Sequence, residues 1–190
     1  MLLMLACREG EGVANERPPV ATVVLKGATI VDADGERVGD VVIDGDTIVA
    51  IGGAWAGNPD VVDVAGAWVT PGLADPHVHL AHAGTLGWVG DPLEANLRAS
   101  LYHGVLAVMD LGGPEALFDL RDAVEAGDTL GPTIRATGPF LTAVGSHPCE
   151  TLPDDDLCTF VDAETAGEAA RARLDAGADA VKVALADAAF

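Results

Sequence analysis

Two of the chain's five histidines, His77 and His79, stand one residue apart in "PGLADPHVHL", just after a Pro-Gly turn and an apolar run. Residues two apart on a strand point to the same face. Two imidazoles side by side at a strand end can hold one metal ion through two nitrogens, and imidazole suits zinc and similar borderline ions. A bare H-x-H is also what surface histidines on an edge strand look like, so the setting has to decide. Asp75 precedes His77 by two residues and shares its strand face, where it could hydrogen-bond a ligand histidine. An Asp-Pro turn accounts for it as well.

The elements around this pair can be read from the sequence. Residues 8–19 are polar, with Pro18-Pro19, and read as a linker after an N-terminal apolar stretch. Residues 20–68 hold short β-branched runs broken by Asp34-Gly35, Asp44-Gly45 and Gly52-Gly53, which predicts a small antiparallel β unit. From residue 69 onward the rhythm changes. "LADPHVHL", "VLAVMDL", "TIRATGPFL" and "DAVKVAL" read as four strands. Between them lie three helices. The first opens on Asp91 and closes at Gly104, with Leu93, Leu97 and Leu101 at helical spacing. The second places Leu117, Leu120 and Val124 on one face and stops at Gly127. The third has Asp162 as its cap. Residues 142–161 form a long excursion without an assigned element. Strands too apolar to alternate, divided by helices, predict a parallel sheet covered by helices. The first strand-to-helix loop, residues 81–91, has no G-x-G-x-x-G, which argues against a dinucleotide fold. In a parallel barrel the strand end that carries His77 and His79 faces the active site.

Bulk properties narrow the partners. The chain has 190 residues, 49% of them apolar, with 30 acidic and 10 basic side chains and a net charge of −20. Such a surface repels phosphate backbones, so nucleic acid is excluded as a partner. No apolar run is long enough to cross a membrane as a helix. "MLLMLAC" resembles the end of a bacterial lipoprotein signal, with Cys7 as the lipidated residue. No basic stretch precedes it, and the run is shorter than the roughly 7–15 residues such signals use. A periplasmic or membrane-anchored lipoprotein and a cytoplasmic protein with a plain N-terminus both stay open. Cys149 and Cys158 could close a small loop worth up to about 3 kcal/mol. Two unpaired thiols are what a reducing cytosol would give.

The stretch "VDVAGAWVTPGLADPHVHL" resembles the first-strand signature of the amidohydrolase superfamily, metal-dependent hydrolases built on a (β/α)8 barrel. "LKGATIVDADGERVGDVVIDGDTIVAIG" resembles the small β-sandwich domain these enzymes carry beside the barrel. "NLRASLYHGVLAVMDLGG", "GPTIRATGPFLTAVGSHP" and "ARLDAGADAVKVAL" are similar to the imidazolonepropionase-like branch, which includes lysine-carboxylate prolidases acting on X-Pro dipeptides. The resemblance implies an α/β architecture of three parts: a signal remnant or linker at 1–19, a β-sandwich at 20–68, and the first half of a barrel at 69–190. A whole barrel takes about 250 residues, so the chain is expected to be the N-terminal part of a longer enzyme.

The same resemblance implies the site. His77 and His79 match the H-x-H that holds the more buried metal. Lys182 matches a strand-four lysine whose CO2-derived carbamate bridges two metals in binuclear members. For Lys182 a salt bridge or a Schiff base also remains open. His147, in "GSHP", resembles a position near the active-site mouth and is a substrate candidate or a plain loop residue. His82 is a weaker candidate for touching substrate or metal, and His103, inside the first helix, reads as structural. Asp110 ends the second strand, but Met109 stands where family members often carry Arg, which puts a substrate-anchoring role in doubt. The expected cofactor is one or two divalent ions, with zinc first. The general-base aspartate is expected beyond the chain end. The implied reaction is hydrolysis of an amide, X-Pro dipeptide or cyclic amide by activated water, with this chain alone inactive. The alternative is a non-catalytic half barrel that binds metal or a partner. Expected partners are a small amide or dipeptide, a membrane if Cys7 carries lipid, and a second copy if the protein is a homo-oligomer.

Overall fold

The computed structural model describes residues 17–81, 93–149 and 157–185. The chain divides into two compact units between Pro71 and Gly72.

The first unit is built of strands: β1 (Val23–Asp32), β2 (Gly35–Asp44), β3 (Thr47–Ile51), β4 (Asp60–Asp63) and β5 (Trp68–Val69). The turn signals at Asp34-Gly35 and around Gly45 join β1, β2 and β3 as antiparallel hairpins. The unit is not antiparallel throughout, as the sequence had suggested. Residues 52–59 carry the chain across the sheet, so β4 and β5 both lie parallel to β1. Val41 and Val42 are consecutive on β2 and therefore point to opposite faces. Both are buried, Val42 with Ala21 and Val24, Val41 with Ala28 and Ile30. Each face of this sheet thus has its own apolar cluster, which is why its strands carry so many β-branched residues.

The second unit is mixed α/β: β6 (Leu73–Val78), α1 (Leu93–Tyr102), β7 (Val105–Asp110), α2 (Ala116–Ala126), β8 (Thr133–Ala136), β9 (Phe140–Thr142), β10 (Cys158–Phe160), α3 (Ala166–Asp175) and β11 (Val183–Ala184). The strands form two three-stranded sheets, β6-β7-β8 and β10-β9-β11, and every pairing is parallel. Leu97 of α1 and Leu117 and Phe118 of α2 are buried against Val108 and Ile134. Each such side chain contributes about 1.5–3 kcal/mol through its burial. Leu93, Leu120 and Val124 pack at the margin of that cluster, as their helical spacing predicts.

Three details differ from the sequence reading. "TIRATGPFL" is two strands, not one. Gly138 adopts φ +68°, and a Cβ there would lie 2.9 Å from Phe118 Cζ and 3.1 Å from Arg173 Cδ. Pro139 has no N–H to continue a ladder. The chain therefore breaks between β8 and β9 and changes sheet. The long excursion contains an element after all, β10, which pairs with β9. Its position is tied by the Cys149–Cys158 disulfide, whose Cα atoms are 6.1 Å apart. Finally, the residue that caps α3 is Thr165, without a side-chain cap bond. Asp162 instead closes the turn before it, accepting from the Glu164 and Thr165 N–H groups and the Thr165 hydroxyl. The Asp91 cap of α1 lies outside the described residues, as do Cys7 and His82.

An ionic cluster fastens β8 to the segment entering β11. Asp179 Oδ2 accepts from the Ala136 N–H at 2.9 Å and from Arg121 at 3.0 Å, and Oδ1 accepts from Arg135 at 3.1 Å. Burial works against the Asp179 charge. The Ala136 N–H and the Arg121 guanidinium outweigh it and hold the carboxyl below its ordinary range.

Candidate metal centre

β6 ends level with β7: Val78 pairs with Asp110, and the Leu111 N–H donates to the Val78 carbonyl at 3.0 Å. His77 and His79 flank Val78 at this C-terminal edge of the parallel sheet. Their ring centroids are 5.4 Å apart, at 70°. His77 is exposed and His79 is half-buried.

The His79 ring has a defined orientation. Its Nδ1 lies 3.3 Å from the Gly112 carbonyl oxygen. A carbonyl can only accept, so Nδ1 is the donor in this contact. On one side the ring meets Phe140, the first residue of β9, with centroids 5.9 Å apart. Phe140 in turn lies against Gly112, whose φ is +143°. A Cβ on Gly112 would fall 2.6 Å from Phe140 Cε1 and closer still to Cε2 and Cζ. Only glycine fits between that ring and the carbonyl it presents to His79.

Asp110 is fully buried. Its Oδ2 accepts from the Leu80 N–H at 2.7 Å and its Oδ1 from the Gly112 N–H at 3.1 Å. Its carboxylate thus serves the backbone on both sides of the site. Asp75 Oδ1 accepts from the backbone N–H of His77 at 3.1 Å, so its carboxylate closes an Asp-Pro turn. Lys182 stands immediately before β11. Its carbonyl accepts from the Leu141 N–H at 2.9 Å, and Val183 pairs with Leu141. That register puts Lys182 beside Phe140, the residue that touches His79. Lys182 is half-buried. His147 follows β9 and is exposed, and its carbonyl accepts from the Thr142 hydroxyl at 3.3 Å. His103 follows α1 and stacks edge-on with Tyr102. Among the described residues, no three His, Cys, Asp or Glu side chains gather as a metal-holding group. The histidine pair is what the fold brings together.

No protein-family model matches the chain. Over 89 residues it is 30% identical to an allantoinase of Escherichia coli (strain SMS-3-5 / SECEC), covering 47% of this chain and 19% of that protein. A putative prolidase from Bifidobacterium longum superposes with a TM-score of 0.71 at 27% identity, over 90% of this chain and 42% of its own. A prolidase complexed with N-methylphosphonate-L-proline gives a TM-score of 0.69 at 28% identity, over 85% and 46%. This chain is related to the amidohydrolases. It spans about a fifth of the length of the curated relatives and under half of the solved ones. The amidohydrolase relatives named here are hydrolases.

Within this amidohydrolase-related chain, two residues of the site escaped the sequence reading, Gly112 and Phe140. "DLGG" offered a signal, since a glycine just past a buried strand marks a close backbone approach or a positive φ. Phe140 offered none, because its contact with His79 arises from the break between β8 and β9.

Proposed function

We propose that this chain carries the opening metal ligands of a metal-dependent hydrolase that cleaves a carbon–nitrogen bond with activated water. His77 and His79 are the imidazole ligands, and Lys182, after carboxylation, is the third. The observation that carries the reading is the bond from His79 Nδ1 to the Gly112 carbonyl, beside His77 at the C-terminal edge of a parallel sheet. A bond from one ring nitrogen to a backbone carbonyl is the usual arrangement for a metal-binding histidine. The donor set suits a borderline divalent ion, with zinc first. A lysine ammonium has only donors. Lys182 therefore joins once its neutral amine has attacked CO2, forming an N–C bond, releasing a proton and leaving a carbamate whose single negative charge is shared by two oxygens. When bound, the ion supplies Lewis-acid polarisation of a carbonyl and a lowered water pKa.

On this reading residues 20–68 are the companion β-sandwich, and residues 69–190 the first four strands of a barrel. The substrate class is a small amide, an X-Pro dipeptide or a cyclic amide, in keeping with relatives named prolidase and allantoinase. His147 is assigned to substrate contact on the same reading. The activity assigned to this chain by itself is metal binding.

The test is calorimetric titration of the full chain with Zn2+. Wild type is expected to bind. His77→Ala and His79→Ala are each expected to weaken binding by more than the roughly 10–100-fold that losing an outer partner costs. No binding by wild type, or binding by both variants as tight as that of wild type, overturns the reading. In 13C-bicarbonate, a carbamate resonance lost in Lys182→Ala is expected; its absence in wild type removes Lys182 from the ligand set.

A further inference from the structure

The exit of β7, Asp110-Leu111-Gly112, bonds both chain neighbours of His79 and its ring. The Leu111 N–H ties the residue before it, bonding the Val78 carbonyl at 3.0 Å. Asp110 Oδ2 ties the residue after it, accepting from Leu80 N–H at 2.7 Å. The Gly112 carbonyl ties the ring itself, at 3.3 Å from Nδ1. That carbonyl is in turn aimed by two constraints. Asp110 Oδ1 holds the Gly112 N–H at 3.1 Å, and the Phe140 ring lies where a Cβ would be. One buried carboxylate therefore fixes both the backbone that carries His79 and the carbonyl that selects its tautomer.

We propose that Asp110 is a positioning residue that holds His79 as the Nδ1–H tautomer through the Leu80 and Gly112 N–H groups. Its value to the protein rests on the reading of His79 as a metal ligand, which on that reading binds through Nε2. Its chemical content does not. A carboxylate accepts from two N–H groups at once, whereas an amide of the same size turns an NH2 toward one of them. Asp110→Asn therefore loosens either Leu80 or Gly112 without changing the volume of the site.

The experiment uses the full, metal-free chain with 15N-labelled histidine at about pH 8.5, where an ordinary imidazole is neutral. Long-range proton–nitrogen spectra assign each ring nitrogen. Wild-type His79 is expected to show Nδ1 protonated and Nε2 bare. Asp110→Asn is expected to shift His79 toward the Nε2–H form and to weaken Zn2+ binding by about 10–100-fold. Asn96→Ala, which removes only a bond to the Leu80 carbonyl, is expected to leave the tautomer unchanged. A wholly structural role for Asp110 would lower stability and leave the His79 nitrogens as they were, and that result overturns the proposal. Should the asparagine variant not fold, wild type still decides. Couplings across the hydrogen bonds from the Leu80 and Gly112 amides to the Asp110 carboxyl carbon must be present, and a wild-type His79 in the Nε2–H form refutes the idea. Correct tautomer without Zn2+ binding sinks the metal reading alone. Zn2+ binding with the wrong tautomer sinks this one alone.

Discussion

Replacing Gly112 by alanine tests the packing on which the site rests. The new Cβ would lie 2.6 Å from Phe140 Cε1 and nearer still to Cε2 and Cζ. Relieving such an overlap costs about 1–3 kcal/mol in shifted rotamers and backbone. The backbone itself is at φ +143°. A residue with a Cβ held in such a sparsely populated region costs about 1–3 kcal/mol more. Together these give about 4 kcal/mol, a large share of the roughly 5–15 kcal/mol that keeps a domain folded. The two contributions can be separated. Phe140→Leu removes the ring atoms that the Cβ would strike and by itself costs about 1.5 kcal/mol. In the double variant the overlap is gone and only the backbone strain remains. Gly112→Ala/Phe140→Leu is therefore expected to be about 2 kcal/mol more stable than the sum of the single changes. Urea denaturation of the four proteins measures this directly. Strict additivity, or a Gly112→Ala cost below about 1 kcal/mol, would mean that the Phe140 ring does not lie against Gly112, and the account of how His79 is oriented would fall with it.

The disulfide and the ionic cluster give two further tests. Cys149 and Cys158 are nine residues apart. Their bond is expected to contribute about 3 kcal/mol, lost on reduction and in the double serine variant, which should no longer respond to reductant; a wild type indifferent to reductant would show that the thiols are not joined. The depressed carboxyl of Asp179 stabilises the fold above the ordinary carboxylate range, and that contribution fades as pH falls through its lowered folded value. Asp179→Ala is expected to cost about 2 kcal/mol at neutral pH. The gap should close as acid is added, and denaturation curves showing a gap independent of pH would contradict the assignment.

The elements were largely legible because their signals are local. Leu97, Leu117 and Val124 fall at helical spacing, and Asp34-Gly35 and Gly45 mark hairpins, so those pieces appear where periodicity puts them. What was not legible depends on contacts between distant residues. β4 and β5 turn parallel because of how residues 52–59 cross the sheet, and no turn dipeptide encodes that. The break at Gly138 is set by Phe118 and Arg173, which pack beneath it from two different helices. At the site, the type and spacing of His77 and His79 were readable, but the difference in their surroundings was not. Asp75 shares their strand face and suggested a bond to a ring. Its carboxylate goes to the backbone N–H of His77, because that group is two residues away and the ring is not needed to satisfy it.

The asymmetry between the two histidines carries a physical consequence. Immobilising a side chain on binding costs about 0.5–1.5 kcal/mol. For His79 that cost is already met in folding, since the Gly112 carbonyl and the Phe140 ring hold it. His77 is exposed, and Asp75 holds its backbone through the N–H. An ion arriving at this edge would therefore find one ring already set and one still to be ordered. This arrangement also separates His79 from a histidine that merely faces solvent. A surface imidazole needs no buried carboxylate, no glycine at positive φ and no aromatic ring behind it. His79 has all three, the carboxylate and the glycine at the exit of β7 and the ring at the start of β9. H-x-H alone names two residue types. It is the exit of the neighbouring strand, Asp110 to Gly112, that gives one of them a direction.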